Sequence, residues 1–164
     1  MARAPVIPLV VVWLSLVLSL CLQVMPLADG WQAFRPDWIG LMLVYWCMRV
    51  PDRVGVLHGF MIGLMLDLIE GSVLGQHALV YTTLAFLAAL VYPRFRAYSL
   101  VQQAVLVLVL LGLVQLIEQW LRVLTGNFTI HLSFLISALI SGLLWPWLAT
   151  MLLALERRAV KGAS

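Results

Sequence analysis

Residues 100–121 read LVQQAVLVLVLLGLVQLIEQWL, 22 residues with one charged side chain, Glu118. As a helix rising about 1.5 Å per residue, such a run covers about 33 Å, enough to cross a hydrocarbon core of about 30 Å. Outward from it, charged connectors cut the rest of the chain into further apolar runs. The six segments are Val6–Leu27, Trp38–Met48, Val54–Ile69, Ala78–Tyr92, Leu100–Leu121 and Leu132–Leu155. The first, fifth and sixth are long enough to span. The second, with 11 residues, reaches only about 16 Å. It must borrow length from its flanks or form a shallow re-entrant hairpin with the third. Pro36 suits the first turn of a helix and Asp37 its positive end, so helix 2 is expected to start near Pro36.

Composition gives the same reading. Apolar residues make up 64% of the chain and charged ones 10%, against about 25% charged in a soluble domain. The sequence therefore predicts an all-α polytopic membrane protein, a single transmembrane domain over residues 1–164 with six helices, helix 2 short. The net charge of +3 comes from small basic clusters between apolar runs, a pattern that argues against nucleic-acid binding. The run Val6–Leu27 is too long for the apolar core of a signal peptide, and Pro26-Leu27-Ala28 is a poor cleavage site, so it reads as a retained helix. Cys21 and Cys47 fall at different depths and read as packing residues, not as a disulfide.

Orientation follows from the basic residues. With the N-terminus inside, Arg3, Arg49, Arg53, Arg94, Arg96, Arg157, Arg158 and Lys161 are cytoplasmic, and only Arg35 and Arg122 lie outside, a split of eight to two. The acidic residues divide the other way: Asp29, Asp37, Asp67, Glu70 and Glu118 lie outward, Asp52 and Glu156 inward. Both termini are thus expected in the cytoplasm, the protein being a multi-pass chain in an inner membrane.

Several patterns single out residues for packing or for partners. Gly55, Gly59 and Gly63 recur every four residues, and the stripe runs on through Asp67 to Gly71 and Gly75. Glycine at this spacing lets another helix approach closely, either one of this protein or a partner's. Ser133, Ser137 and Ser141 repeat the spacing in helix 6, ahead of Trp145-Pro146-Trp147, where Pro146 should kink the helix or free a carbonyl and at least one tryptophan should face protein. Ionisable residues inside apolar segments are functional candidates, here Asp67, Glu70 and Glu118, the last with Arg122 four residues on. Arg35, left outside against the charge bias, is expected to find a carboxylate, Asp67 being the simplest, in an outer patch with Asp37 and Glu70. Nothing completes a catalytic, metal or cofactor site: His58, His77 and His131 fall in separate segments.

The order Phe34-Arg35-Pro36-Asp37-Trp38, Tyr45-Trp46, Pro51, Gly59-Phe60, Gly63-Leu64, Asp67-Leu68, Gly71-Ser72, Leu74-Gly75 and Trp145-Pro146-Trp147 resembles the MreD family of rod-shape-determining proteins, in its proteobacterial branch. The resemblance implies a non-enzymatic scaffold or regulator of bacterial cell elongation and lateral peptidoglycan synthesis. The implied partners are MreC first, then MreB, RodA and a class B penicillin-binding transpeptidase. It also implies a fold similar to the substrate-binding subunits of energy-coupling-factor transporters. Such a subunit for a vitamin-type transporter is the competing reading, with the outward carboxylates as a substrate site. Those subunits carry an Ala-xxx-Ala docking pattern in the first helix, where this chain has Ser15-xxx-Ser19.

The topology can be tested directly. Cysteines introduced beside Arg96 and Lys161 are expected to resist a membrane-impermeant thiol reagent in intact spheroplasts, and one beside Asn127 to react. Labelling at Lys161 from outside overturns the six-helix arrangement.

Overall fold

The computed structural model describes residues 8–26, 34–95, 97–126 and 133–162, with side chains in the last stretch described over 135–156. Within these residues the elements are α1 (Leu9–Val24), α2 (Trp38–Arg49), α3 (Val56–Glu70), α4 (Gln76–Phe95), α5 (Leu100–Leu124) and α6 (Ser133–Gly162). Three helical stretches are long and apolar enough to cross a membrane: α4, α5 and residues 135–156 of α6. Two boundaries differ from expectation. Helix α4 runs through Pro93 to Phe95, because a proline this close to the C-terminal end removes only one hydrogen bond of the final turns. Pro36 stands before α2 instead of in its first turn, and Asp37 is the N-cap, its carboxylate accepting from Gly40 N at 2.8 Å. Helix α5 opens with a reciprocal cap between Ser99 and Gln102.

The shortest helix is the central one. Nine of the 12 residues of α2 are buried, which explains why its sequence is apolar on every face and carries no amphipathic stripe. All five other helices touch α2, while α3 packs chiefly on α4 and α5 on α6. The backbones of α1 and α6 do not approach within 8 Å among the described residues. The result is a ring in the order α1, α3, α4, α5, α6, open between its ends, with α2 inside. A hairpin of α2 with α3 is not what forms, since that pair has one of the slightest contacts in the bundle.

Glycine sets the closest helix pair. A Cβ on Gly63 would stand 2.5 Å from the His77 carbonyl oxygen and one on Gly59 2.9 Å from the Tyr81 carbonyl carbon. The stripe thus serves packing of α3 on α4 within the protein, and it is shorter than its spacing suggested. Gly55 is the N-cap of α3 and has open space where a Cβ would point. Gly71 (φ +64°) ends α3 and Gly75 (φ +97°) turns the chain into α4, both left-handed conformations that glycine adopts without a Cβ clash. Ile62, on the face between the glycines, is also fully buried.

Cross-helix polar pairs show which helix ends lie together. At one end Glu156 of α6 accepts from Arg49 Nε at 2.8 Å and from the Tyr45 hydroxyl at 2.9 Å, both on α2. Nearby in α6, Trp145 is buried and meets the ring of Phe95 edge-on at 5.9 Å, while Trp147 is 62% exposed, so one tryptophan of the pair faces protein as expected. The opposite end gathers the starts of α2 and α4 and the ends of α3 and α5. Cys21 is exposed and Cys47 buried, and both are free thiols.

Gly63→Ala should lower the melting temperature of the detergent-purified protein, at a cost of about 1–3 kcal/mol for forcing two backbones apart. Leu57→Ala, at a position 67% exposed, should move it little. Equal effects would place the glycines outside the helix contact.

Candidate functional site

Asp67 sits in the last turn of α3 and is 1% exposed. A carboxylate there needs acceptor positions filled by donors, and the turn that follows supplies them. Oδ1 accepts from the Ser72 hydroxyl at 2.8 Å, from His77 N at 2.9 Å and lies 2.8 Å from His77 Nδ1. Oδ2 accepts from Gly75 N at 2.9 Å and Ala78 N at 3.3 Å. Gly75 has no side chain to cap α4, so a residue of the previous helix takes the free N–H groups of its first turn, at the end where the helix dipole favours negative charge. The two left-handed glycines make this return possible by folding the turn back on α3.

His77 extends the cluster. Its Nε2 is 3.5 Å from Glu118 Oε1 on α5 and 3.7 Å from Glu70 Oε2 on α3. Each ring nitrogen therefore faces carboxylate oxygen. Glu118 in turn accepts from Arg122 Nε at 3.0 Å, one helical turn on. Beside these groups lies a cavity of about 340 Å³, lined among others by Glu70, Ser72, Gln76, His77 and Arg122.

A second polar knot holds the start of α2. Asp37, 5% exposed, also accepts from the Tyr81 hydroxyl of α4 at 3.0 Å. Its own N–H donates to Ser141 Oγ at 2.9 Å, and Ser137 Oγ donates to the Arg35 carbonyl at 2.6 Å, both serines on α6. Trp38 N donates to Gln23 Oε1 of α1 at 3.1 Å. Two helices, α1 and α6, thus satisfy backbone groups at the entry to the central helix, and α4 bonds the side chain of its cap.

These arrangements use residues spread from α1 to α6, and the similarity to known proteins has the same extent. Residues 6–154 match the family described as rod shape-determining protein MreD. A curated relative, the rod shape-determining protein MreD of Haemophilus influenzae, is 33% identical over 147 residues, covering 87% of this chain and 88% of that protein. The chain belongs to the MreD family. No solved structure matches it. Membership makes this a protein of rod-shape determination, and apolar helices of this length fit a transmembrane member of that family.

In this MreD-family chain the sequence-derived residues separate into distinct sets. Asp67, Glu70, Glu118 and Arg122 meet in one cluster, and Glu118 does pair with Arg122 as expected. Arg35 does not join Asp67: its guanidinium donates to the Met25 carbonyl at the end of α1, and Asp67 is filled by Ser72, His77 and backbone. The outer patch is therefore two knots, Asp37 belonging with Ser137 and Ser141. Ser133 has no described side chain. The missing member of the cluster was His77, whose membership depends on the chain folding back ten residues, and Tyr45 with Arg49 at the other end was likewise unforeseen. The one sequence signal for His77 is a helix start at Gln76 without a side-chain cap of its own, nine residues after the Asp67 carboxylate.

Asp67→Ala leaves three backbone N–H groups and the His77 ring without their acceptor, and should cost about 3 kcal/mol or more. In double-mutant cycles read by melting, Asp67→Ala and His77→Ala should couple by about 1–3 kcal/mol, whereas Asp67→Ala and Arg35→Ala should add. Strong coupling of the second pair would restore the Arg35–Asp67 clamp.

Proposed function

We propose that this protein is a non-enzymatic scaffold of the cell-elongation complex that directs lateral peptidoglycan synthesis. In this reading it is a single transmembrane domain in the inner membrane, with six crossings and both termini in the cytoplasm. Its partners are MreC first, and through it MreB, RodA and a class B penicillin-binding transpeptidase. The observation that carries the reading is the family match over residues 6–154. Internal use of the polar residues supports it. The charged and hydroxylated side chains singled out by sequence are largely spent on holding helix ends, which suits a rigid body that offers partners its apolar helix flanks. Connectors are short, so partner selection falls to those flanks and to the small loops. The eight-to-two basic split supports the orientation.

One observation favours the transporter-subunit reading, the cavity of about 340 Å³ beside Glu70 and His77, which is of a size for a small ligand. Copurification separates the two. The tagged full-length chain should restore rod shape to cells depleted of their own family member and bring down MreC and RodA from solubilised membranes. Recovery of an ATPase module instead, with rounded cells unrescued, would replace the scaffold by the transporter.

A further inference from the structure

We propose that the cavity at the Asp67 end binds the phosphoethanolamine headgroup of a phospholipid, Glu70 taking the ammonium and Arg122 the phosphate. Two groups that line the cavity have hydrogen-bonding capacity left over. Gln76 is 8% exposed and lines the cavity, and its side-chain amide makes no hydrogen bond among the described residues. An amide that opens on a cavity with its donor and acceptor unused is available to a ligand there. His77 is 4% exposed, and its Nε2 lies 3.5 and 3.7 Å from the nearest carboxylate oxygens, beyond the usual 2.7–3.2 Å for a nitrogen donor.

The charges set the class of ligand. Asp67 is filled by its five donors, and Glu118 by Arg122. That leaves Glu70 as the carboxylate with room to accept. Arg122 spends Nε and Nη2 on Glu118, so the guanidinium keeps its Nη1 donors for an anion. One accepting carboxylate and one donating guanidinium across a small cavity complement a zwitterion whose ammonium and phosphate are separated by two carbons. An ammonium with N–H groups suits Glu70 better than a quaternary one, which cannot donate. The setting selects a lipid as the source. Leu74 and Leu124, each next in sequence to a cavity residue, are 67% and 78% exposed, and Trp120 near Arg122 is 69% exposed. Apolar side chains and an indole around a polar opening at a bundle end match the boundary between headgroups and acyl chains.

The test uses the full-length chain in maltoside detergent, read by native mass spectrometry and by melting. Short-chain phosphatidylethanolamine should be retained and raise the melting temperature, and phosphatidylglycerol and phosphatidylcholine should do so far less. Glu70→Gln should weaken phosphatidylethanolamine binding about ten- to a hundredfold, as expected for loss of one charge-assisted bond, and abolish the preference over phosphatidylglycerol. Arg122→Gln should weaken it similarly, and Arg122→Lys, which keeps the charge, should recover part of the affinity even if the Gln variant folds poorly. Equal retention of the three lipids, or unchanged binding by Glu70→Gln, overturns the proposal. Stabilisation by free O-phosphoethanolamine as strong as by the lipid overturns the lipid as source. Displacement of the lipid by a lysine-rich peptide assigns the cavity to a partner's basic side chain instead.

Discussion

A carboxylate buried in an apolar bundle dictates the conformation of whatever must satisfy it. Asp67, 1% exposed, draws five donors, all from the ten residues that follow it or from the next helix's first turn. Because those donors are mostly backbone N–H groups, the constraint fixes main-chain path and not only side-chain position. It determines where α3 stops, that the turn folds back, and where α4 begins. The close α3–α4 contact at Gly59 and Gly63 then follows from two helices already joined at one end, and glycine permits the separation that the turn requires. His77, placed by the same turn, brings Glu70 and Glu118 into one group, so α5 is tied in through the same carboxylate.

The start of α2 obeys the same logic with the roles reversed. Here the unsatisfied groups belong to the backbone of residues 35–38, which passes between helices before turning helical. Ser137 and Ser141 supply the hydroxyls and Gln23 an amide oxygen, while Asp37 caps its own helix and receives Tyr81. A helix surrounded by others cannot leave its first turn to solvent, so its neighbours carry polar side chains at that depth. Serines spaced by four residues, which at first suggest helix packing, are here hydrogen-bonding partners for an irregular segment.

Much of this was legible in the sequence because apolar length and glycine spacing report local geometry. The six segments appear with shifted ends, Asp37 stands at the positive end of α2, as its cap and not within its first turn, and Gly59 and Gly63 lie in a helix contact. What failed needed the third dimension. Arg35 and Asp67 share a depth by sequence, yet depth says nothing about position around the bundle, and the start of α2 faces α1, α4 and α6. The histidines lie in separate segments of the sequence, but a turn and a neighbouring helix bring His77 to three carboxylates. Gly71 and Gly75 continued a pattern in the sequence while serving as turn residues in the structure, since a four-residue period cannot show where a helix ends.

Among the described residues the ring around α2 has one place where neighbouring backbones stay more than 8 Å apart, between α1 and α6. In mechanical terms the bundle is a clip and not a hoop. A closed hoop resists spreading in every direction, because any expansion breaks a helix pair. A clip spreads at its gap while the pairs around the ring stay intact, its stiffness residing in the hinge opposite, here the glycine-tight contact of α3 with α4. Lateral load from neighbouring proteins is therefore taken up at the seam, where the central helix, bonded to α6 near each end and to α1 through Gln23 and Ser15, is the tie that limits how far the gap opens.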